Sequence, residues 1–249
     1  MLYNSLIVGN GEVGSALKIV LDKRKGTKNV IIDIRDKDFQ KKVDNSTCEA
    51  LHICIPNNKT FIASCLKYIE SFEPMLCVIH SSVPVGTTEK IISFVNKKNK
   101  PIHPKIVHSP VRGQHPKLAE SLQYFVKYVG TSDKKAFELA KLELSNIKVE
   151  WIRDSKATEL GKLLDTSYYG VCISWHREMK RICDYFGVDF ENAVTDFNET
   201  YNIGYKKFRP NVIRPVLFLP KGEIGGHCVV PNANLLSKQI KSKFLDLIK

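Results

Sequence analysis

The sequence predicts an α/β protein, with a doubly wound parallel sheet over residues 1–153 and a smaller all-helical domain over residues 154–249 built on one long helix. Three observations predict it. Short apolar runs alternate with helix-patterned stretches as far as Ile152, and such alternation builds a parallel sheet with helices on both faces. The first apolar run opens directly into a glycine-spaced turn. From Ser155 to Phe186 an apolar stripe then recurs with helical period, interrupted only by Gly161 and Gly170.

The first element is the run Leu6 to Val8, a buried strand, after which Gly9, Gly11 and Gly14 stand at G-x-G-x-x-G spacing and Val13, Ala16 and Leu17 begin a helix. In a Rossmann turn of this kind Gly9 makes the turn, Gly11 lets the backbone approach a pyrophosphate, and Gly14 lets helix and strand pack closely. The free N–H groups and positive end of the helix then meet the phosphates. A second strand, Asn29 to Ile34, carries Asp33 about two dozen residues after Gly9, where a carboxylate accepts from a ribose 2′-hydroxyl and favours NAD over NADP. Arg35 is the dissenting residue, because a guanidinium there could pair with a 2′-phosphate. Glu12 and Val13 in the turn, with Ile55 and Pro56 at the end of the third strand, complete the candidate cofactor cradle. The plainer alternative is a glycine turn in an unrelated α/β protein, with Asp33 a solvated strand end.

The segment Lys37 to Thr47 is polar and weakly patterned; Ala50 to Pro56 is the third strand, and Asn58 to Glu73 a helix with Phe61, Ile62, Cys65, Leu66 and Ile69 on one face. Met75 to His80 is the fourth strand and runs into Ser81-Ser82-Val83-Pro84-Val85-Gly86-Thr87-Thr88, whose proline and glycine end it and whose threonines can cap a helix from Glu89 to Asn99. Ile106 to His108, Tyr124 to Val129 and Lys148 to Ile152 complete the strands, with a helix from Lys134 to Leu144. The long helix would reach roughly 50 Å at 1.5 Å per residue, the spine of a second domain and a surface for pairing. Asp189 to Tyr201 reads as a shorter helix, Lys206 to Lys221 as proline-interrupted loop, and Asn232 to Ile248 as a last helix after Gly225-Gly226-His227-Cys228.

Composition limits the function classes. The 249 residues are 43% hydrophobic, enough for a buried core. No apolar run is long enough to span a membrane and no signal peptide precedes the first strand, so a cytoplasmic protein with no membrane partner is expected. The seven cysteines form no C-x-x-C pair and read mostly as buried thiols, with no metal site expected. The formal charge of +12 is spread over separate lysine-rich stretches without aromatic interleaving, which favours a solvated surface that attracts a small anionic substrate over a nucleic-acid partner.

Several segments together resemble the UDP-glucose and GDP-mannose dehydrogenases, the nucleotide-sugar dehydrogenase family: GNGEVG, HSSVPVGTTEK, SPVRG, ATELGKLLDTSYYGVCISWHREMKRICDYFGVD and GEIGGHCVVPN, in family order. The first two also suit the wider 6-phosphogluconate and β-hydroxyacid dehydrogenase superfamily. The resemblance implies an NAD-dependent oxidation of a sugar alcohol carbon in two steps, with the aldehyde and acyl stages held on a cysteine, placed here at Cys228. Two glycines give that sulfur close access, and a helix beginning after it presents its positive end; a buried cysteine beside a glycine turn is the alternative. The resemblance sets Lys162 as the base or oxyanion partner, and Glu159, Lys162, Thr166 and Tyr169 share a helix face. An exposed Glu–Lys pair would be the ordinary reading of that face. The leading reading sets the nicotinamide near Ser81, Ser82 and Cys228 and the substrate end at Arg112, His108, His227, Gly225 and Gly226, though on loops after strands these could equally be solvated or structural. Three positions depart from the family pattern: Val111 and Asn232 stand where it has carboxylates, and Thr166 where it has Asn. Valine does no acid–base work, so the hydrolytic half of the reaction is where a difference is expected. No counterpart is expected for the family's long insertion between second and third strands or for its C-terminal nucleotide-binding domain. The expected substrate is a sugar nucleotide or related anionic polyol and the expected assembly a homodimer; a one-step alcohol dehydrogenase and an inactive NAD-binding module acting with a partner are the alternatives.

Overall fold

The apolar runs become the strands of a single sheet. The computed structural model describes residues 2–44, 47–98, 103–217 and 228–248. Its strands are β1 (Leu2–Val8), β2 (Asn29–Ile32), β3 (Thr47–Ile53), β4 (Leu76–Ile79), β5 (Lys105–His108), β6 (Lys127–Gly130) and β7 (Val149–Ile152), in the order β2-β1-β3-β4-β5-β6-β7. The chain leaves β1 for one side and returns to the other. That reversal between β1 and β3 is the switch point at which ligands enter an open α/β sheet, at the C-terminal ends of its strands. The helices are α1 (Glu12–Leu21), α2 (Phe39–Asp44), α3 (Phe61–Phe72), α4 (Thr87–Asn96), α5 (Leu118–Tyr124), α6 (Lys134–Glu143), α7 (Ser155–Phe186), α8 (Asp196–Lys206) and α9 (Val229–Ser237).

Strand side chains alternate between two cores, as the period of two requires. Leu6, Val8, Leu51, Ile53, Cys77 and Ile79 pack with Phe61 and Phe72 of α3 and Ile91 of α4. Ile7, Ala50, Val78, Val107 and Val129 pack instead with Leu17 and Val20 of α1, Leu118 of α5 and Phe137 and Ala140 of α6. Continuous apolar strands are therefore possible here because both faces are covered.

Two compact units result, Met1–Lys162 and Leu163–Lys249, with the boundary falling inside α7. In the second unit Cys183, Phe190 and Val194 form a small core. Gly170 lies where a Cβ would meet Val229 Cγ1 at 2.7 Å and Ile248 Cγ2 at 2.9 Å, so its lack of a side chain lets these residues of the chain's C-terminal part seat on α7. Asn202 of α8 donates to Arg214 O and accepts from Arg214 N, each at 2.8 Å, which fastens the following loop.

Several elements differ from expectation. β5 and β6 pair antiparallel through His108 and Gly130, so the sheet is not wholly parallel. The segment read as a strand from Tyr124 is α5 up to that residue, and the strand begins at Lys127. Phe39 lies against the ring of Tyr68 in α3 and so gives the weakly patterned Lys37–Thr47 stretch one apolar anchor for α2. The Asp189–Tyr201 helix opens as a π-helical turn, Glu191–Thr195, before α8. The last helix starts at Val229 and ends at Ser237, with a 3-10 turn at Leu245–Leu247.

Candidate functional site

The glycine turn lies at the switch point. Gly9 has φ +106°, and a Cβ there would stand 2.6 Å from Cys54 O; a Cβ on Gly14 would stand 1.9 Å from Gly9 O. Both positions thus demand glycine, one for the turn and one for the approach of α1 to it. Gly11, the N-cap of α1, has nothing within 4 Å of its would-be Cβ. That open side is where the first-turn N–H groups of Glu12, Val13 and Gly14 could receive an anion. The Glu12 carboxylate lies 2.6 Å from His115 Nδ1.

Asp33 follows β2 directly and points into the turn. Its Oδ2 accepts from Asn10 N at 2.8 Å. Arg35 lies along it, donating from Nε to Oδ1 at 2.7 Å and from Nη2 to Oδ2 at 3.1 Å, with Arg35 N also on Oδ1 at 3.0 Å. The guanidinium first, then the Asn10 and Arg35 amides, holds the carboxyl well below the usual carboxylate range against the opposing effect of burial.

At the ends of β3 and β4, Ile55 packs where Gly9 would carry a Cβ, and Ser81 Oγ donates to Ile55 O at 2.6 Å. Ser81 is buried and Ser82 half-buried, while Pro56 is exposed at the rim. His108 is wholly buried and ties the frame together: Nε2 lies 3.2 Å from Ser81 O and Nδ1 2.8 Å from Thr158 Oγ1. Burial pulls its ring down to about 3, so it is neutral, donating to Ser81 O and accepting from Thr158. The substrate-facing role expected of His108 is corrected on this ground, since both ring nitrogens are engaged inside the protein.

Glu159 is 1% exposed and does not form an exposed pair with Lys162. It accepts from Gly86 N at 2.6 Å, Thr88 N at 2.8 Å and Thr88 Oγ1 at 2.7 Å, which places a carboxylate on the N-terminal end of α4. Burial pushes its carboxyl up, opposed by these bonds. Lys162 lies half-buried one turn further along α7. Arg112 sets its guanidinium 5.6 Å from the Phe125 ring and 5.7 Å from that of Tyr128. Val111 is buried within the apolar core.

Sequence reasoning missed a buried polar chain through the sheet. Arg24 Nη1 donates to Glu143 Oε2 at 2.7 Å, Ser5 Oγ donates to Oε1 at 2.6 Å, and His52 Nε2 lies 3.1 Å from the same Oε1. His52 Nδ1 stands 2.9 Å from His80 Nε2, and His80 Nδ1 donates to Ser109 O at 2.9 Å. Lys127, 3% exposed, donates from Nζ to Ser109 O at 2.8 Å and Pro110 O at 3.1 Å. A carbonyl only accepts, so Nδ1 of His80 carries its hydrogen, and a neutral His80 then accepts from His52. One further proton must lie on the His52–Glu143 contact. Burial, then the charge of Lys127, drives His80 well down, and burial brings Lys127 to about 7, helped by the charge of Lys162. Burial would raise Glu143, but His52, Ser5 and Arg24 outweigh it and hold the carboxyl at about 2. A signal was present: His52 and Lys127 are polar residues inside apolar strand runs.

In the second unit Cys228 is the N-cap of α9 and half-buried. Asn232, one turn on, donates its amide N–H to Cys228 O at 3.1 Å and its Nδ2 to Thr166 Oγ1 at 3.1 Å. Two of the three positions that depart from the family pattern therefore touch each other beside the cysteine. Gly225, Gly226 and His227 lie outside the described residues. Elsewhere, a hollow of about 340 Å³ lined by Leu66, Ile69, Met75 and Val95 opens at the N-terminal ends of β4 and β5, the opposite end of the sheet from the glycine turn. Among the described residues no helix is long and apolar enough to cross a membrane.

The chain is 28% identical over 213 residues to UDP-N-acetyl-D-mannosamine dehydrogenase of Methanococcus maripaludis, covering 79% of this chain and 46% of that one. Its relatives are nucleotide-sugar dehydrogenases. It spans about half the length of the curated relatives it matches. UDP-D-ManNAc dehydrogenase from Pyrococcus horikoshii superposes with a TM-score of 0.76 at 18% identity over 100% of this chain and 66% of that one. A UDP-glucose dehydrogenase from Pyrobaculum islandicum gives 0.78 at 13% identity, over 100% and 67%. No family model matches the chain.

Proposed function

We propose that this chain is an NAD-dependent oxidoreductase of the nucleotide-sugar dehydrogenase type, acting on an alcohol carbon of a sugar nucleotide or related anionic polyol. The observation that carries the cofactor reading is the turn itself. Two glycines that admit no side chain leave Gly11 open at the start of a helix, at the switch point of the sheet, with Asp33 fixed beside it. The residues present fit a dinucleotide: the first-turn amides of α1 for its pyrophosphate, the Asp33 region for its ribose, and the Ser81–Ser82 turn for its far end. NAD, when bound, supplies the hydride acceptor. Lys162 takes the alcohol proton or steadies the oxyanion, Arg112 meets the substrate's anionic part, and Cys228 is the covalent nucleophile for the aldehyde stage. The net charge of +12 raises the local concentration of such an anion.

A one-step oxidation that stops at the carbonyl product is the second reading, and the Val111, Thr166 and Asn232 positions favour it. Val111 is buried in the apolar core, and the Asn232–Thr166 pair holds no carboxylate to activate water. NAD reduction, followed by absorbance over sugar nucleotides, sugar phosphates and hydroxy acids, separates the readings. Two hydrides per substrate, lost in Cys228→Ala, establish the double oxidation; one hydride, retained in Cys228→Ala, establishes the single one. NAD bound in calorimetry with no turnover on any member would replace both with a binding module.

The assembly we propose is a homodimer. Leu164, Tyr168, Trp175, Ile182, Tyr185 and Phe186 of α7 are 38–79% exposed, more apolar surface than one helix ordinarily leaves in water. Solution scattering is expected to return twice the 28.3 kDa chain mass, and a monomeric mass would remove this reading.

A further inference from the structure

We propose that Arg35 sets cofactor choice and that the fold accepts a 2′-phosphorylated dinucleotide, NADP, alongside NAD. This rests on the dinucleotide reading above and deepens it. An open carboxylate at the end of β2 binds a ribose 2′-hydroxyl and repels a phosphate at that position. Asp33 is not open. Its two oxygens receive four donors: Asn10 N and Arg35 Nη2 on Oδ2, Arg35 N and Nε on Oδ1, at 2.7 to 3.1 Å. A carboxylate has about four acceptor sites, so a ribose hydroxyl would have to displace one of these donors.

The guanidinium also cancels the charge that would exclude a phosphate. Its side chain is 73% exposed, against 12% for Asp33, so the pair presents its cationic member outward. Nε and Nη2 are spent on Asp33, with a longer contact from Nη2 to Asn10 O at 3.3 Å. Both N–H groups of Nη1 are left without a partner among the described residues, on a rigid fork already aimed by Asp33. The neighbouring Asp36 is turned inward, accepting from Asp33 N at 3.1 Å, though its charge still acts on Arg35. Two free N–H groups on an anchored guanidinium are the donor arrangement that receives a phosphate.

The test is calorimetric titration of the full chain with NAD, NADP and adenosine 2′,5′-bisphosphate, repeated with Arg35→Ala and Arg35→Lys. The wild-type chain is expected to bind NADP within about tenfold of NAD, with the bisphosphate competing for the same site. Arg35→Ala should weaken NADP roughly ten- to a hundredfold, the worth of one or two hydrogen bonds to a charged group, and leave NAD equal or tighter because Asp33 is uncovered. Arg35→Lys should fall between, since a point charge replaces the fork. NAD bound with NADP excluded, or an unchanged NADP-to-NAD ratio in Arg35→Ala, overturns this proposal alone. Failure of either dinucleotide to bind the wild-type chain overturns the dinucleotide reading and this proposal with it.

Discussion

At the scale of single residues, two glycines of the turn, Gly14 and Gly11, make separable predictions. Gly14→Ala forces a methyl group to within 1.9 Å of Gly9 O, so it should cost about 1–3 kcal/mol in urea unfolding and remove NAD binding. Gly11→Ala meets nothing within 4 Å and keeps an ordinary φ of −87°. It should leave the unfolding midpoint nearly unchanged yet weaken NAD; equal loss of stability in the two variants would contradict the assignment. Lys127 offers a second residue-scale test. Its folded value near 7 lies below that of a free lysine, about 10.4. Between those values the unfolded chain binds more protons. Stability relative to Lys127→Met should therefore climb as pH rises from about 7 to about 10, by at most about 1.4 kcal/mol per pH unit. A flat difference across that window would mean the amine is solvated.

Single elements show what could be read from the sequence and what could not. α7 was legible end to end, because a helical stripe over 32 residues needs no knowledge of its surroundings. The glycine turn was legible because Gly9 and Gly14 each answer a local steric demand. α5 and the direction of β6 were not, since strand pairing is set by distant chain rather than by period, and the run from Tyr124 to Val129 suits either state. His108 was misjudged for a related reason: a histidine after a strand looks exposed until Thr158, fifty residues on, is seen against its ring. Glu143 is the strongest case. It ends α6 in an ordinary helix pattern, and only the fold brings Ser5, Arg24 and His52 to it. Glu143→Gln leaves the Arg24 guanidinium without its counter-charge and should cost about 3–5 kcal/mol at pH 7. Glu143 is held below its free value, so the stability it gives is complete above pH 4.5 and is lost as pH falls towards 2. The gap between variant and wild type should close over that range in urea titrations.

For the molecule as a whole, charge and surface make further demands. A chain of pI about 9.3 steers anions from a distance, and that help fades as salt shortens the Debye length. Association with an anionic substrate, measured by stopped flow, should slow several-fold between about 20 mM and 500 mM salt, while a neutral hydroxy substrate should show no such loss.

The antiparallel join between β5 and β6 reaches further than a detail of topology. It rests on one register pair, His108 with Gly130, whereas β3 and β4 share four. The sheet therefore has a seam, and β6 with β7 could open as a block without unfolding what lies before it. The block is held by Lys127 of β6, which donates to Ser109 O and Pro110 O just past β5, and by the end of α6, where Glu143 reaches back across the seam to β1, β3 and Arg24. In hydrogen–deuterium exchange the amides of β6 and β7 should then be released before those of β1, β3 and β4, and Glu143→Gln should hasten that release while leaving β1 to β4 closed.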